Sequence, residues 1–133
     1  MILLDTHALI WMDTGDRRLG RKSRTMIEKQ WESGAVGVSA ISFWEVGLLC
    51  TRGRLRLASP LNDWRNEWLV SGLIEIPLDG GIAARALDLT GISDDPADRF
   101  IAATAIAIGA TLLTADQMLL DWRHSLIRID ART

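Results

Sequence analysis

The 133-residue chain has one cysteine, no tyrosine, two histidines and only two lysines, Lys22 and Lys29. Each shortage closes off some chemistry. Cys50, as a lone thiol, can form neither an internal disulfide nor a thiolate zinc site, and its neighbours Gly47, Leu48 and Leu49 predict a buried, inert side chain. His7 and His124 have no matching nucleophile, which argues against a serine or cysteine hydrolase. A phosphate loop of the form G-x-x-x-x-G-K-[ST], a G-x-G-x-x-G after the first strand and a G-x-S-x-G elbow are all missing. A phosphotransfer receiver needs a lysine near the last strand, and none follows Lys29. The apolar runs are too short to span a membrane. The opening MILLDTHALIW lacks a basic leader and carries Asp5 and His7, so it does not resemble a secretory signal and a cytoplasmic protein is expected.

An excess of positive charge is also missing. Net charge is −2 and the pI about 5.6, which argues against a chain that holds nucleic acid by bulk charge. The basic residues are nevertheless nearly all arginine, the residue suited to bidentate contact with phosphate or carboxylate. They cluster at RRLGRKSR (Arg17, Arg18, Arg21, Lys22 and Arg24) and again at Arg52, Arg54 and Arg56. Each cluster reads either as a solvated surface or as a phosphate-contacting patch.

What is present is 48% hydrophobic and 24% charged, a composition that predicts one compact domain over residues 1–133 with no long disordered tail. The strongest local signal is residues 94–116, DDPADRFIAATAIAIGATLLTAD. Asp95 suits a helix cap, Pro96 the first helical position and Gly109 the stop, after which Ala110 to Thr114 has the length of a buried strand. The same alternation runs through the chain. Ile2 to Leu4 reads as a strand followed by Thr6 as a cap, and the basic segment leads into a helix through Met26, Ile27 and Trp31. Val36 to Val38 is a second strand, and FWEVGLLCTRG a helix that Gly53 stops. Pro60 starts an amphipathic helix whose Trp64 and Trp68 suit the core or a dimer surface better than base stacking. Leu73 to Ile76 is a third strand, Ile82 to Leu89 a helix, and Leu126, Ile127 and Ile129 a fifth strand. Strands alternating with helices predict an α/β fold with a parallel sheet and helices on both faces.

Four acids recur where strands end or the next helix starts: Asp5, Glu45, Asp98 and Asp116. Each has a structural explanation when taken alone. Asp98 complements a helix dipole, Asp116 can cap a short helix, and Ser42 with Glu45 has the spacing of a capping box. Taken together, all four can face one crevice at the carboxyl edge of a parallel sheet. Two like charges about 4 Å apart repel by about 4 kcal/mol at an effective dielectric of about 20, so such a group either binds protons or needs a cation. An all-oxygen donor set points to Mg²⁺ or Mn²⁺, ions that serve phosphoryl chemistry.

These segments resemble those of the PIN domain, and more closely the VapC-type ribonuclease toxins of bacterial toxin–antitoxin pairs. The resemblance rests on LLDTHALIW, SAISFWEVGLL followed by RGRL, DPADRFIAATA and GATLLTAD, in that order and nearly end to end. It implies a three-layer α/β/α fold with a five-stranded parallel sheet in the order 3-2-1-4-5. It also implies metal-dependent cleavage of RNA, a homodimer and inhibition by a cognate VapB-like antitoxin. By position, Asp5, Glu45, Asp98 and Asp116 would be the acid quartet holding Mg²⁺ or Mn²⁺. Thr114 would be a hydroxyl steadying that site, with Thr6 and Ser42 as weaker candidates, and the two basic clusters would guide RNA. Many relatives carry a histidine two residues before the Asp-Pro pair, where this chain has Ser93. The competing expectation is a catalytically weak protein-binding module with the same fold.

Overall fold

The computed structural model describes residues 1–133. Its first half runs β1 (Ile2–Leu4), α1 (Thr6–Thr14), α2 (Arg21–Glu32), β2 (Val36–Ser39), α3 (Ile41–Thr51) and α4 (Leu61–Ser71). The second half runs β3 (Ile74–Ile76), α5 (Gly80–Asp88), α6 (Pro96–Ile108), β4 (Thr111–Thr114), α7 (Gln117–Leu120) and β5 (Arg128–Asp130). The five strands form one parallel sheet in the order β3-β2-β1-β4-β5, with Leu3 in register with Gly37 on one side and Leu112 on the other. The expected 3-2-1-4-5 topology is therefore present.

The order follows from burial. β1 is entirely apolar and buried on both faces, as a central strand of a parallel sheet must be. Alternate residues serve opposite layers. Ile2, Leu4, Val36, Val38 and Leu113 pack with Leu9, Ile27, Val46 and Trp64 from α1 to α4. Leu3 and Leu112 pack with Ile101, Ala102 and Ala105 of α6 and with Leu119 of α7. Helix α5 lies outside α6, joined through Ile82, Ala86 and Ala103. No helix is long and apolar enough to cross a membrane.

Several boundaries differ from those expected. Asp5, not Thr6, caps α1, because its carboxylate accepts from the Thr6 amide at 2.7 Å. Helix α2 starts only at Arg21, leaving Arg17 and Arg18 in the preceding turn. The Ser42–Glu45 capping box does not form: α3 already starts at Ile41, and Glu45 lies beyond its first turn. Helix α5 begins two residues before Ile82, capped by Asp79, which accepts from the Ile82 amide at 2.8 Å. Strand β5 begins at Arg128, just after Ile127, whose carbonyl accepts from the Leu112 amide at 2.9 Å; before it Leu126 packs into the core, and Ile127 is exposed. Cys50 is half-buried rather than buried. Trp64 lies in the core as expected, and both its indole N–H and that of Trp68 donate to Asp13 Oδ1, at 3.0 and 3.1 Å, tying α4 to α1.

The end of the chain returns to the working edge of the sheet. The Ala131 amide donates to Thr114 O at 2.8 Å, while the Gly20 and Ser23 amides donate to Ala131 O and Thr133 O at 2.9 and 3.2 Å. Gly20 is required here, since a Cβ would lie 2.1 Å from Thr133 O and 2.5 Å from Arg132 O.

Candidate active site

Asp5 is built into the carboxyl end of β1. Its Oδ1 accepts from the Thr6 amide, and its Oδ2 accepts the Thr114 hydroxyl at 2.6 Å, a bond between the ends of the central strand β1 and its neighbour β4. The same Thr114 oxygen accepts from the Asp116 amide at 3.0 Å, so one buried hydroxyl fixes Asp5 and the turn that carries Asp116. Asp116 also caps α7, accepting from the Met118 amide at 2.9 Å. Burial pushes the Asp5 carboxyl above its ordinary pKa of 3.8, opposed by the Thr114 and Thr6 hydrogen bonds.

Glu45 is held from α1. The Thr6 hydroxyl donates to Glu45 Oε1 at 2.5 Å and lies 3.0 Å from the buried Ser42 Oγ. Thr6 has a single hydroxyl proton, so when it serves Glu45 the Ser42 hydroxyl is left to donate to Thr6. The three residues form a short chain of hydroxyls ending on a carboxylate. Burial raises the Glu45 pKa, the Thr6 bond lowers it, and the charges of Asp5 and Asp95 raise it further.

Asp98 stands in the first turn of α6, which Asp95 caps by accepting from the Ala97 amide at 3.2 Å. Its neighbour Arg99 turns away and donates to Ala86 O and Leu89 O at 3.0 and 2.9 Å, closing the end of α5. Asp98 is thus left among other acids. Its pKa is pushed up to about 7, first by burial and then by the charges of Asp95, Asp5, Asp116 and Glu45.

All four expected acids line one cleft of about 420 Å³ at the carboxyl edge of the sheet. None is in an ion pair. Asp95, His7, Trp11 and Arg132 line the cleft as well. For Asp95 the sequence signals only a helix cap. His7 and Trp11 could have been found from their spacing after Asp5, which puts them on one face of α1. Arg132 carries no local signal, since the return of the chain end brings it there.

As the side chains stand, no three His, Cys, Asp or Glu groups are close enough together to hold an ion. The donor chemistry nonetheless fits Mg²⁺ or Mn²⁺: all oxygen, anionic and lacking cationic partners. Mg²⁺ in particular keeps several waters and takes one or two carboxylates rather than a closed protein cage. None of the basic residues expected to guide RNA lines the cleft. Arg18 pairs with Asp16 at 2.7 Å and lies over the Trp11 ring, one layer out from the acids, while Arg17, Arg21 and Lys22 are exposed. Arg54 and Arg56 line a separate groove beyond the far end of α3 with Cys50 and Leu61, and Arg52 is exposed beside it.

Comparison with known proteins bears on this arrangement. The PIN domain family model matches residues 2–123. Ribonuclease VapC22 of Mycobacterium tuberculosis is 35% identical over 124 residues, covering 92% of each chain. Among solved structures, VapBC2 from Rickettsia felis bound to a promoter DNA fragment has a TM-score of 0.71 at 19% identity, covering 97% of this chain and 98% of that one. A toxin–antitoxin complex from Klebsiella pneumoniae has a TM-score of 0.66 at 20% identity, covering 98% of both chains. DNA-bound VapBC from Salmonella typhimurium also scores 0.66, at 21% identity and with 97% and 96% covered. The family match over nearly the whole length, the VapC relative and the parallel sheet with acids at its carboxyl edge agree, and the chain belongs to the PIN domain family, in its VapC branch.

Proposed function

We propose that this chain is a divalent-metal-dependent endoribonuclease, acting in the cytoplasm as the toxin of a toxin–antitoxin pair. The observation that carries the reading is Asp98, whose pKa is pushed up to about 7 in a cleft it shares with Asp5, Glu45 and Asp116, none of which is in an ion pair. A cluster of acids built into a fold at such cost is a common mark of a functional site. Asp5, Asp98 and Glu45 would hold the principal Mg²⁺ or Mn²⁺, and Asp116 a second ion or the attacking water. When bound, such an ion acidifies water and neutralises charge on the phosphodiester. The protein's own part is to hold these oxygens in place: Thr114 fixes Asp5, and Thr6 backed by Ser42 fixes Glu45.

The M. tuberculosis relative, a ribonuclease, supports RNA as substrate, and the structural neighbours, which are toxin–antitoxin complexes, support a VapB-like antitoxin as partner. Exposed Arg17, Arg21 and Lys22 on the α2 side would guide the RNA backbone towards the cleft. A homodimer is supported by α3, whose only charged residue is Glu45 and whose Trp44 is 58% exposed. A helix that is apolar all round is ordinarily covered.

The test is cleavage of structured RNA with Mg²⁺ or Mn²⁺ by the wild type, Asp5→Asn and Asp98→Asn. Each substitution is expected to lower the rate by about a hundredfold or more. Undiminished cleavage by both variants overturns the reading.

A further inference from the structure

The acid cleft poses a problem for its own substrate. Five carboxylates line it (Asp5, Glu45, Asp95, Asp98 and Asp116), and a phosphodiester brings another negative charge. Even with a divalent ion among them, the surroundings stay anionic, so a phosphate needs fixed donors of its own. The basic clusters prominent in the sequence do not supply them at the acids. Arg18 is held by Asp16, Arg24 donates to Leu19 O and Asp16 O, and Arg54 and Arg56 face another groove.

Arg132 is the one arginine that lines the cleft. Asp130 Oδ1 accepts from its Nε at 2.9 Å and Asp130 Oδ2 from its Nη2 at 2.9 Å, while Gln117 Oε1 accepts from Nη2 at 3.1 Å. A guanidinium has five N–H donors, and these bonds engage three. The two on Nη1 have no protein partner, and the side chain remains 46% exposed. The group is thus clamped along one edge and open at the other. The backbone beneath it is fixed too, since the Ala131 amide donates to Thr114 O at the strand end that carries the site.

We propose that Arg132 receives the non-bridging phosphate oxygens of the RNA next to the acids, through the Nη1 N–H pair, and so sets where the phosphodiester lies. This assignment rests on the reading of the cleft as a ribonuclease site. Asp130 and Gln117 act as positioning residues: they hold the guanidinium before substrate arrives, so little side-chain entropy remains to be lost on binding. Because Asp130 balances its charge locally, Arg132 can sit beside the acids without pairing with any of them.

The test is fluorescence anisotropy of a fluorescein-labelled RNA hairpin over a series of salt concentrations, with Ca²⁺ in place of Mg²⁺, alongside Mn²⁺ calorimetry and a cleavage assay. Arg132→Gln is expected to weaken RNA binding by about tenfold and to flatten the dependence of log K on log salt by about one unit, leaving Mn²⁺ affinity within about twofold. Arg132→Lys, which keeps the charge on a side chain of similar length, should retain the salt dependence but only part of the affinity. If the wild type binds and cleaves RNA and both variants match it in affinity and salt dependence, the Arg132 assignment is overturned while the nuclease reading stands. A wild type that neither binds nor cleaves RNA overturns both.

Discussion

Thr114 donates its hydroxyl to Asp5 Oδ2 across 2.6 Å, joining β4 to β1 at the point where the acids gather. The oxygen that gives this bond also receives the Asp116 amide, so one side chain sets two of the four carboxylates. Thr114→Val keeps the shape and removes both bonds. It should cost about 1–3 kcal/mol of stability, because Asp5 and the Asp116 amide each lose a partner, and should lower divalent-ion affinity by about 10- to 100-fold. Thr114→Ser should restore most of both. Chemical denaturation and Mn²⁺ calorimetry on the three proteins check this; a valine variant with wild-type ion affinity contradicts it.

Thr6, at the start of α1, plays the corresponding part for Glu45. Thr6→Val should lower RNA cleavage by about tenfold or more, since Glu45 loses the donor that fixes its rotamer, whereas Thr6→Ser should stay close to wild type. Ser42→Ala should have a smaller effect, because it removes the support of Thr6 rather than the contact with Glu45. Rates measured at saturating Mn²⁺ separate the three; a valine variant as fast as the serine variant counts against the hydroxyl.

The charge on Asp98 makes a prediction about pH. Its pKa in the folded chain is about 7 against an ordinary 3.8, so between those values the folded state holds a proton that the unfolded chain has released. That contribution to stability is complete below about pH 4 and is lost as pH rises through about 7. The shifts of Glu45 and Asp5 have the same sign. In chelator, the thermal midpoint should therefore fall by several degrees from about pH 5 to about pH 8. Asp98→Asn should flatten this fall, and added Mn²⁺ should offset it at the alkaline end. A midpoint that climbs over this range in chelator runs against the account.

Gly20 permits the chain end to close over the start of α2. Gly20→Ala puts a methyl group against backbone atoms of Arg132 and Thr133, which cannot swing aside as a flexible side chain can. The expected cost is about 1–3 kcal/mol, with faster amide hydrogen exchange at Ala131 and Thr133. Denaturant midpoints and exchange rates test it, and unchanged values for both contradict the close packing.

The acids were legible in the sequence because the strands are short, apolar and stop at or just before a carboxylate, as at Asp5 and Asp116. Asp98 was legible because Asp95 and Pro96 mark a helix start so clearly. The partnership of Glu45 was not. Ser42 and Glu45 have capping-box spacing, and only the fold shows that Thr6, 36 residues before Ser42, takes both side chains. Arg132 was hidden for a similar reason: it enters the cleft through the pairing of β5 with β4 and the packing of the chain end on Gly20, neither of which leaves a local pattern. The basic clusters are the converse case: they are conspicuous in sequence, and the turn before α2, the first turn of α2 and the far end of α3 place them outside the acid cleft itself.

Titration of the chelator-treated protein with Mn²⁺ in a calorimeter, alongside folded Asp5→Asn and Asp98→Asn, tests the central claim most directly. Saturable uptake by the wild type, weakened by about tenfold or more in each variant, is the predicted result. Heats that are absent in the wild type, or the same in all three proteins, would contradict it.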